Sequence, residues 1–215
     1  RALDLNPSGS PALGDIDGDG RPEIVAVAEQ GAQLLAFEAN GTLKWRSPVL
    51  EAHVGAAAPF LTDLDGDGRA EVLIGRQVLD GDGSLRWTGS GPRLGRSPVT
   101  GLHAVAADLD LDGIPEVVVG PSAYKADGTL LWNAGSVDDG VAAVANLDDD
   151  PWPEIVVSND QLWLLEHDGT VAWGPVDPPG SGYTGPVALA DFDGDGQVEI
   201  GVGRRSQYSV VEGYG

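Results

Sequence analysis

Asp15-Ile16-Asp17-Gly18-Asp19-Gly20-Arg21-Pro22-Glu23, followed at once by Ile24-Val25-Ala26-Val27, is the stretch that decides the fold. Carboxylates at positions 1, 3, 5 and 9, with a glycine at position 6, make a compact loop rich in hard oxygen donors. The β-branched run behind it reads as a buried strand. The unit returns four more times, starting at Asp63, Asp108, Asn146 and Asp191. Successive starts lie 48, 45, 38 and 45 residues apart. Repeats of roughly 40–50 residues built from short strands predict a β-propeller with one four-stranded sheet per blade.

The second half of each repeat agrees. Asn40-Gly41, Asp82-Gly83, Asp127-Gly128 and Asp168-Gly169 each precede a tryptophan, at Trp45, Trp87, Trp132 and Trp173. Asn-Gly and Asp-Gly between apolar runs predict two-residue hairpin turns with positive φ at both residues. One repeat then holds four strands. They are a small-residue strand A such as 141–145, the acidic loop, strand B such as 23–27, strand C such as 34–37, and strand D ending at the tryptophan. No segment sustains a helical period. The fifth repeat has no such tryptophan, and residues 1–5 offer a strand to replace the missing one.

The expectation is an all-β fold forming one domain over 1–215. It has five four-stranded blades, over 8–50, 51–95, 96–135, 136–176 and 177–215 plus 1–7. The N-terminal strand completes the last blade and closes the ring, which removes exposed sheet edges. Five blades of a larger ring is the competing reading.

Net charge is −22, and its distribution is informative. The loops hold 20 of the 34 acidic residues, so the other 14 nearly balance the 12 lysines and arginines. A nucleic-acid partner, which needs a basic face, is excluded on these grounds. The absence of cysteine excludes disulfides and thiol chemistry. No apolar stretch is long enough for a membrane-spanning helix, and membrane insertion is not expected. No signal peptide is present; one is expected to have been removed.

Five copies of the acid spacing point to Ca²⁺ rather than to ordinary turn chemistry. The expected side-chain ligands are Asp15, Asp17, Asp19 and Glu23; Asp63, Asp65, Asp67 and Glu71; Asp108, Asp110, Asp112 and Glu116; Asn146, Asp148, Asp150 and Glu154; and Asp191, Asp193, Asp195 and Glu199. Arg21, Arg69, Ile114, Pro153 and Gln197 are expected to contribute backbone carbonyls. Leu111 at position 4 of the third loop is expected to cost little. Asn146 and Pro151 predict a fourth site that is distorted, weak or empty, since proline cannot take positive φ. Four to five ions with a structural role are expected, and millimolar calcium implies an extracellular or cell-surface setting.

These residues resemble the FG-GAP/VCBS family of extracellular calcium-bound β-propellers, found in integrin α heads and many bacterial surface proteins. The resemblance runs through every Asp-x-Asp-x-Asp-Gly-x-x-Glu loop and the strand after it. It implies that Asp15, Asp17, Asp19, Glu23 and their counterparts are ligands of loops joining strands A and B. The family's Phe-Gly and Gly-Ala-Pro flanks are missing here, and its propellers usually have seven or eight blades. The Asp-Gly-x-x-x-Trp element is also similar to the tryptophan repeats of quinoprotein-type propellers, with nothing to indicate a quinone.

Trp45, Trp87, Trp132 and Trp173 share one register, which predicts packing between blades. Trp152, inside the fourth loop, is off that register and reads as an exposed candidate for ligand contact. On the face opposite the acidic loops, Gln30, Gln33, Arg76, Gln77, Tyr124, Asp160, Gln161, Arg204, Arg205 and Gln207 are candidates for a polar ring that binds a ligand. His53, His103 and His167 occupy different registers, and no nucleophile motif is evident, so no catalytic residue is assigned. Asp138, Asp139 and Asp160 are the acids left for a hidden glycosidase pair.

The expected function is a non-catalytic, lectin-like binding or adhesion module for a glycan or protein ligand. A structural subunit of a larger, self-assembling extracellular array is the first alternative. A carbohydrate-active enzyme or its accessory domain is the second.

Overall fold

The computed structural model describes residues 4–51, 56–98 and 100–214. The regular structure in them is all β, in six small antiparallel sheets, none closed into a barrel. The first sheet comprises β1 (Ala12–Gly14), β2 (Glu23–Val27), β3 (Leu34–Phe37) and β4 (Leu43–Arg46). The second comprises β5 (Phe60–Thr62), β6 (Glu71–Ile74), β7 (Gln77–Leu79) and β8 (Leu85–Thr88). A two-stranded ribbon follows, β9 (Arg96–Ser97) with β10 (Gly101–Leu102). The third sheet comprises β11 (Val105–Ala107), β12 (Glu116–Val118), β13 (Ser122–Tyr124) and β14 (Leu130–Asn133). The fourth comprises β15 (Val141–Ala145), β16 (Glu154–Ser158), β17 (Leu162–Leu165) and β18 (Val171–Val176). The fifth has three strands, β19 (Ala188–Ala190), β20 (Glu199–Arg204) and β21 (Gln207–Glu212). Each of these five sheets is a simple meander in chain order.

The β-branched runs take the second place in every sheet, where both faces are covered. Successive side chains of a strand point to opposite faces. Val72 and Ile74 of β6 therefore pack with Val25 and Val27 of the first sheet, while Leu73 packs with Val117 and Val119 on the other side. Val118 meets Ile155 and Val157, and Val156 meets Ile200 and Val202. Each interior strand thus feeds two cores at once, which explains unbroken apolar runs where a half-buried strand would alternate.

The four tryptophans sit at these seams. Trp45 donates its indole N–H to the Gly81 carbonyl at 2.8 Å, Trp87 to Ala126 at 2.9 Å, Trp132 to His167 at 2.9 Å and Trp173 to Gly213 at 2.7 Å. The first three acceptors lie in the hairpin turn of the following sheet, two residues before its glycine, and Gly213 follows the last strand of the fifth sheet. The ring also lies on that turn's glycine: a Cβ on Gly83, Gly128 or Gly169 would stand 2.6–2.8 Å from the preceding tryptophan.

Two expectations are corrected here. The hairpins are not two-residue turns. Gly41 N–H bonds to Glu38 and Glu38 N–H to Thr42, so the loop has three residues and only the glycine has positive φ (83°). Asn40 instead accepts the Thr42 N–H through its side chain, and the ladder shifts register beside the turn, which is the type I turn with a glycine bulge. The other three Asp-Gly turns repeat this pattern.

The described part of the N-terminal segment does not complete the last sheet either. Residues 1–3, His53 and Gly215 lie outside the described residues, but Leu5 bridges Ala28 antiparallel, and Asn6 N–H bonds to Val27. Leu5 is held there by an apolar cluster of Ala28, Leu35 and Phe37 on the first sheet. The fifth sheet keeps three strands; Tyr208 and Val210 on it are exposed, as is Phe192 in its acidic loop.

The first strands of the sheets lie side by side, β1 beside β5 and β15 between β11 and β19. A cavity of about 460 Å³ lies among Phe60, His103, Val105, Val141, Val144 and Val187. Its wall is largely apolar. His103 Nε2 is 3.0 Å from the Thr100 carbonyl, and burial lowers its pKa.

Candidate metal centres

Each acidic loop joins the first and second strands of its sheet. Its geometry follows from short side chains answering backbone N–H groups that no strand can satisfy. Asp15 Oδ1 accepts Gly18 N–H at 2.7 Å and its Oδ2 accepts Gly20 N–H at 2.8 Å. Asp63 and Asp191 do the same with Gly66 and Gly68, and with Gly194 and Gly196. The position 5 carboxylates accept the position 7 N–H in all five loops, each at 2.8 Å.

The position 9 glutamate closes the loop from the strand side. Glu23, Glu71, Glu116, Glu154 and Glu199 each use Oε2 to accept the N–H of position 2, at Ile16, Leu64, Leu109, Leu147 and Phe192. All five glutamates are buried. The other oxygen, Oε1, has no hydrogen-bond partner in Glu23, Glu154 and Glu199. An orphaned buried carboxylate oxygen is costly unless a cation meets it. Desolvation raises the pKa of Glu23, Glu71 and Glu116, and pushes Glu154 up to about 7.

The loops bring acids together in five clusters, each with carboxylate oxygens mutually within 4.8 Å. They are Asp15, Asp17 and Asp19; Asp63, Asp65 and Glu71; Asp108, Asp110 and Glu116; Asp148, Asp150 and Glu154; and Asp191, Asp193, Asp195 and Glu199. Asp67 and Asp112 stand outside these groups, as does Glu23. Such clusters can hold a metal ion, and a set made only of hard oxygen donors around an orphaned glutamate fits calcium.

Two loops depart from the common form. In the third, Leu111 takes φ of 61°, the one positive φ outside glycine among the described residues. Gly18, Gly66 and Gly194 hold the same place at 76–84°, so this position is strained in a β-carbon residue and is not the cheap change expected from sequence. In the fourth, Pro151 has no N–H for position 1 to accept. Asn146 answers by reversing polarity, donating its amide to the Asp150 carbonyl. The two substitutions compensate each other, and three acids still converge there. Pro153, expected as a carbonyl contributor, is the eighth residue of this loop. Trp152 is the seventh, and its ring stacks on His167 at 5.0 Å.

Basic side chains reach the first two loops. Lys44 Nζ lies 2.5 Å from Asp17 Oδ2 and 2.8 Å from Glu38 Oε1. Arg86 Nη2 lies 2.5 Å from Asp65 Oδ2, and Nη1 lies 3.0 Å from Glu71 Oε1. These bonds hold the Asp17 and Asp65 carboxyls below the usual range and raise Lys44 and Arg86. Neither base was expected at a site. Its signal was the residue before the repeat tryptophan, read only as part of a strand.

The candidates on the opposite face are scattered. Tyr124 is fully buried, with its hydroxyl donating to the Ser90 carbonyl at 2.6 Å, so it belongs to the core and not to a polar ring. Gln77 is also buried, accepting Glu51 N–H and donating to Thr88. Arg76 pairs with Glu51, and Gln33 donates to the Ser47 carbonyl. Arg204 is spent on the carbonyls of Pro178, Gly180 and Asp160. Gln161 reaches Asp177 at 3.3 Å. Gln30, Arg205 and Gln207 are exposed.

Asp160 does line a concavity, one of about 470 Å³ with Arg96, Pro98, Asp139, Asn159 and Tyr183. Most of its lining was missed because it comes from the connections between sheets, where no repeat signals it. Asp139 is no free acid: both its oxygens accept backbone N–H groups, from Leu94 and Gly95 at 3.0 Å.

Solved structures of similar fold are large proteins. The V. cholerae biofilm matrix protein Bap1 superposes with a TM-score of 0.63 at 23% identity, over 94% of this chain and 42% of that one. A Bacillus licheniformis rhamnogalacturonan lyase gives 0.50 at 18% identity, over 94% and 57%. The rhamnogalacturonan lyase YesW gives 0.51 at 17% identity, over 91% and 55%. The chain thus spans about half the length of these structures. No curated protein sequence matches it. A family model described as FG-GAP-like repeat matches residues 15–74 and 146–202, more than half of the chain, and the chain belongs to that family.

Proposed function

We propose that this chain is a calcium-stabilised, extracellular, non-catalytic binding module built from propeller blades. The observation that carries the metal half is the Oε1 of Glu199, buried without a partner where Asp191, Asp193 and Asp195 converge. A bound Ca²⁺ satisfies that oxygen and cancels repulsion within the loop. Ion binding becomes folding free energy, because the unfolded chain has no such site. Asp191, Asp193, Asp195 and Glu199 would hold the ion. The counterpart sets in the other loops would do the same, with Asn146 in the fourth turned away from the role.

The binding half rests on the concavity of Arg96, Pro98, Asp139, Asn159, Asp160 and Tyr183. It combines an exposed tyrosine with an amide, acids and a guanidinium, a composition suited to a sugar or a polar peptide. The fold alone does not choose a function, since a biofilm matrix protein and two rhamnogalacturonan lyases share it. Against catalysis stands the use of Asp139, whose oxygens are taken by backbone N–H groups.

Glycan-array binding in calcium and again in EDTA tests this reading. Selective binding that is lost in EDTA and in Tyr183→Ala supports it; binding untouched by Tyr183→Ala moves the ligand elsewhere. A second reading, a unit of a larger assembly, is favoured by exposed Tyr208 and Val210 on the fifth sheet and exposed Phe192 in its acidic loop. Light scattering at millimolar calcium tests that, with a monomer at all concentrations counting against it.

A further inference from the structure

We propose that Lys44 and Arg86 are tethered counter-ions that compete with Ca²⁺ for the first two loops. The loops then divide into a self-neutralised class, one and two, and an ion-dependent class headed by loop five. This inference rests on the calcium reading above.

The geometry is the same twice. Lys44 and Arg86 are the residues directly before Trp45 and Trp87. Each tryptophan is pinned to the next sheet, which fixes the strand and aims the basic side chain back across its own sheet. Each base reaches the carboxylates at positions 3 and 9. Lys44 Nζ stands 2.5 Å from Asp17 Oδ2 and 3.8 Å from Glu23 Oε1. Arg86 stands 2.5 Å from Asp65 Oδ2 and 3.0 Å from Glu71 Oε1. A third acid at a shared register, Glu38 or Asp80, steadies the base from the turn at 2.8 or 3.6 Å. Loop one meets a second base, because the Arg69 side chain lies against Gly18.

The later repeats lack this device. Leu131 and Ala172 occupy the same register before Trp132 and Trp173. No basic side chain forms an ion pair with loop three, four or five among the described residues. Loop five is the one whose four acids all converge within 4.8 Å.

The chemistry follows from charge and ligand number, which set calcium affinity in oxygen sites. An ammonium or guanidinium beside two of the four acids cancels one charge; Arg86 takes two donor atoms, and Lys44 takes one while standing 3.8 Å from Glu23 Oε1. Calcium must displace it, and the displaced cation stays close by. Loops one and two should therefore remain ordered without metal and load late. Loop five should load first.

Calorimetric Ca²⁺ titration of the intact chain, with and without a competing chelator, tests this. Lys44→Met and Arg86→Met keep the aliphatic stem and remove the charge. Each is expected to tighten one weak site by about tenfold. Each should also lower the melting temperature in EDTA more than in calcium. Leu131→Lys is the converse and is expected to weaken one tight site; it serves even if the methionine variants fail to fold without metal. Calcium binding in one affinity class, unchanged in all three variants, overturns the inference alone. No calcium binding in any of them overturns the calcium reading with it.

Discussion

The indole N–H of Trp45 is bonded to the carbonyl of Gly81, 2.8 Å away and 36 residues on, and the ring covers Gly83 of the same turn. One side chain thus closes the seam between two sheets by a polar and an apolar contact together. Trp87→Phe, at the next seam, keeps the apolar contact and orphans the Ala126 carbonyl. It should cost about 1–2 kcal/mol, whereas Trp87→Ala should cost about 3–5 kcal/mol. Urea denaturation reads both; equal losses would mean that the hydrogen bond contributes nothing.

Gly83 and Gly41 separate strain from collision. Both have positive φ, 85° and 83°. A Cβ on Gly41 meets nothing within 4 Å, while one on Gly83 meets the Trp45 ring at 2.6 Å. Gly41→Ala is expected to cost about 1 kcal/mol from the backbone alone. Gly83→Ala is expected to cost about 1–3 kcal/mol more, from overpacking. Similar unfolding midpoints for the two variants would contradict the packing of Trp45 on this turn.

Leu111 offers a stabilising change. Its side chain is exposed and its φ is 61°, so the residue carries strain without a packing return. Leu111→Gly relieves that strain and loosens the unfolded chain, for a net gain of about 0.5–1 kcal/mol. Thermal unfolding should show a small rise. A fall would mean that the leucine makes contacts that outweigh its backbone.

The metal-free chain should respond to pH in an unusual sense. Desolvation raises the Glu23, Glu71 and Glu116 carboxyls above the ordinary 4.5, and takes Glu154 to about 7. A carboxyl raised on folding stabilises the fold while protonated. That stability is lost as pH climbs from 4.5 through 7. Melting temperature in EDTA should therefore fall between about pH 5 and pH 8, and calcium, held by the ionised form, should reverse the slope. A flat profile in EDTA would contradict the burial of these acids.

Much of this architecture was legible in the residues. The acid spacing marked the loops, the β-branched runs marked strands buried on both faces, and the repeated tryptophan marked the seams. What escaped was set by contacts at long range. Leu5 joins the first sheet because an apolar cluster there receives it, a fact no local pattern carries. Tyr124 looked like a polar turn residue, yet a seam of Val117 and Leu73 encloses its ring. Leu111 read as harmless because ligand roles, and not φ, were weighed at position 4. Lys44 and Arg86 were invisible as site residues because their targets lie 27 and 21 positions upstream.

The tryptophan contact always points the same way along the chain, from one sheet to the turn of the next. Every interior repeat therefore carries both halves of a joint, a hook at its last strand and an eye at its hairpin. A joint of this kind is indifferent to how many units it links. Duplicating or deleting a whole repeat leaves each remaining hook facing a matching eye, so length can change by recombination without any seam being redesigned. Among the described residues, nothing lies within 4 Å of a Cβ on Gly41, the eye of the first sheet.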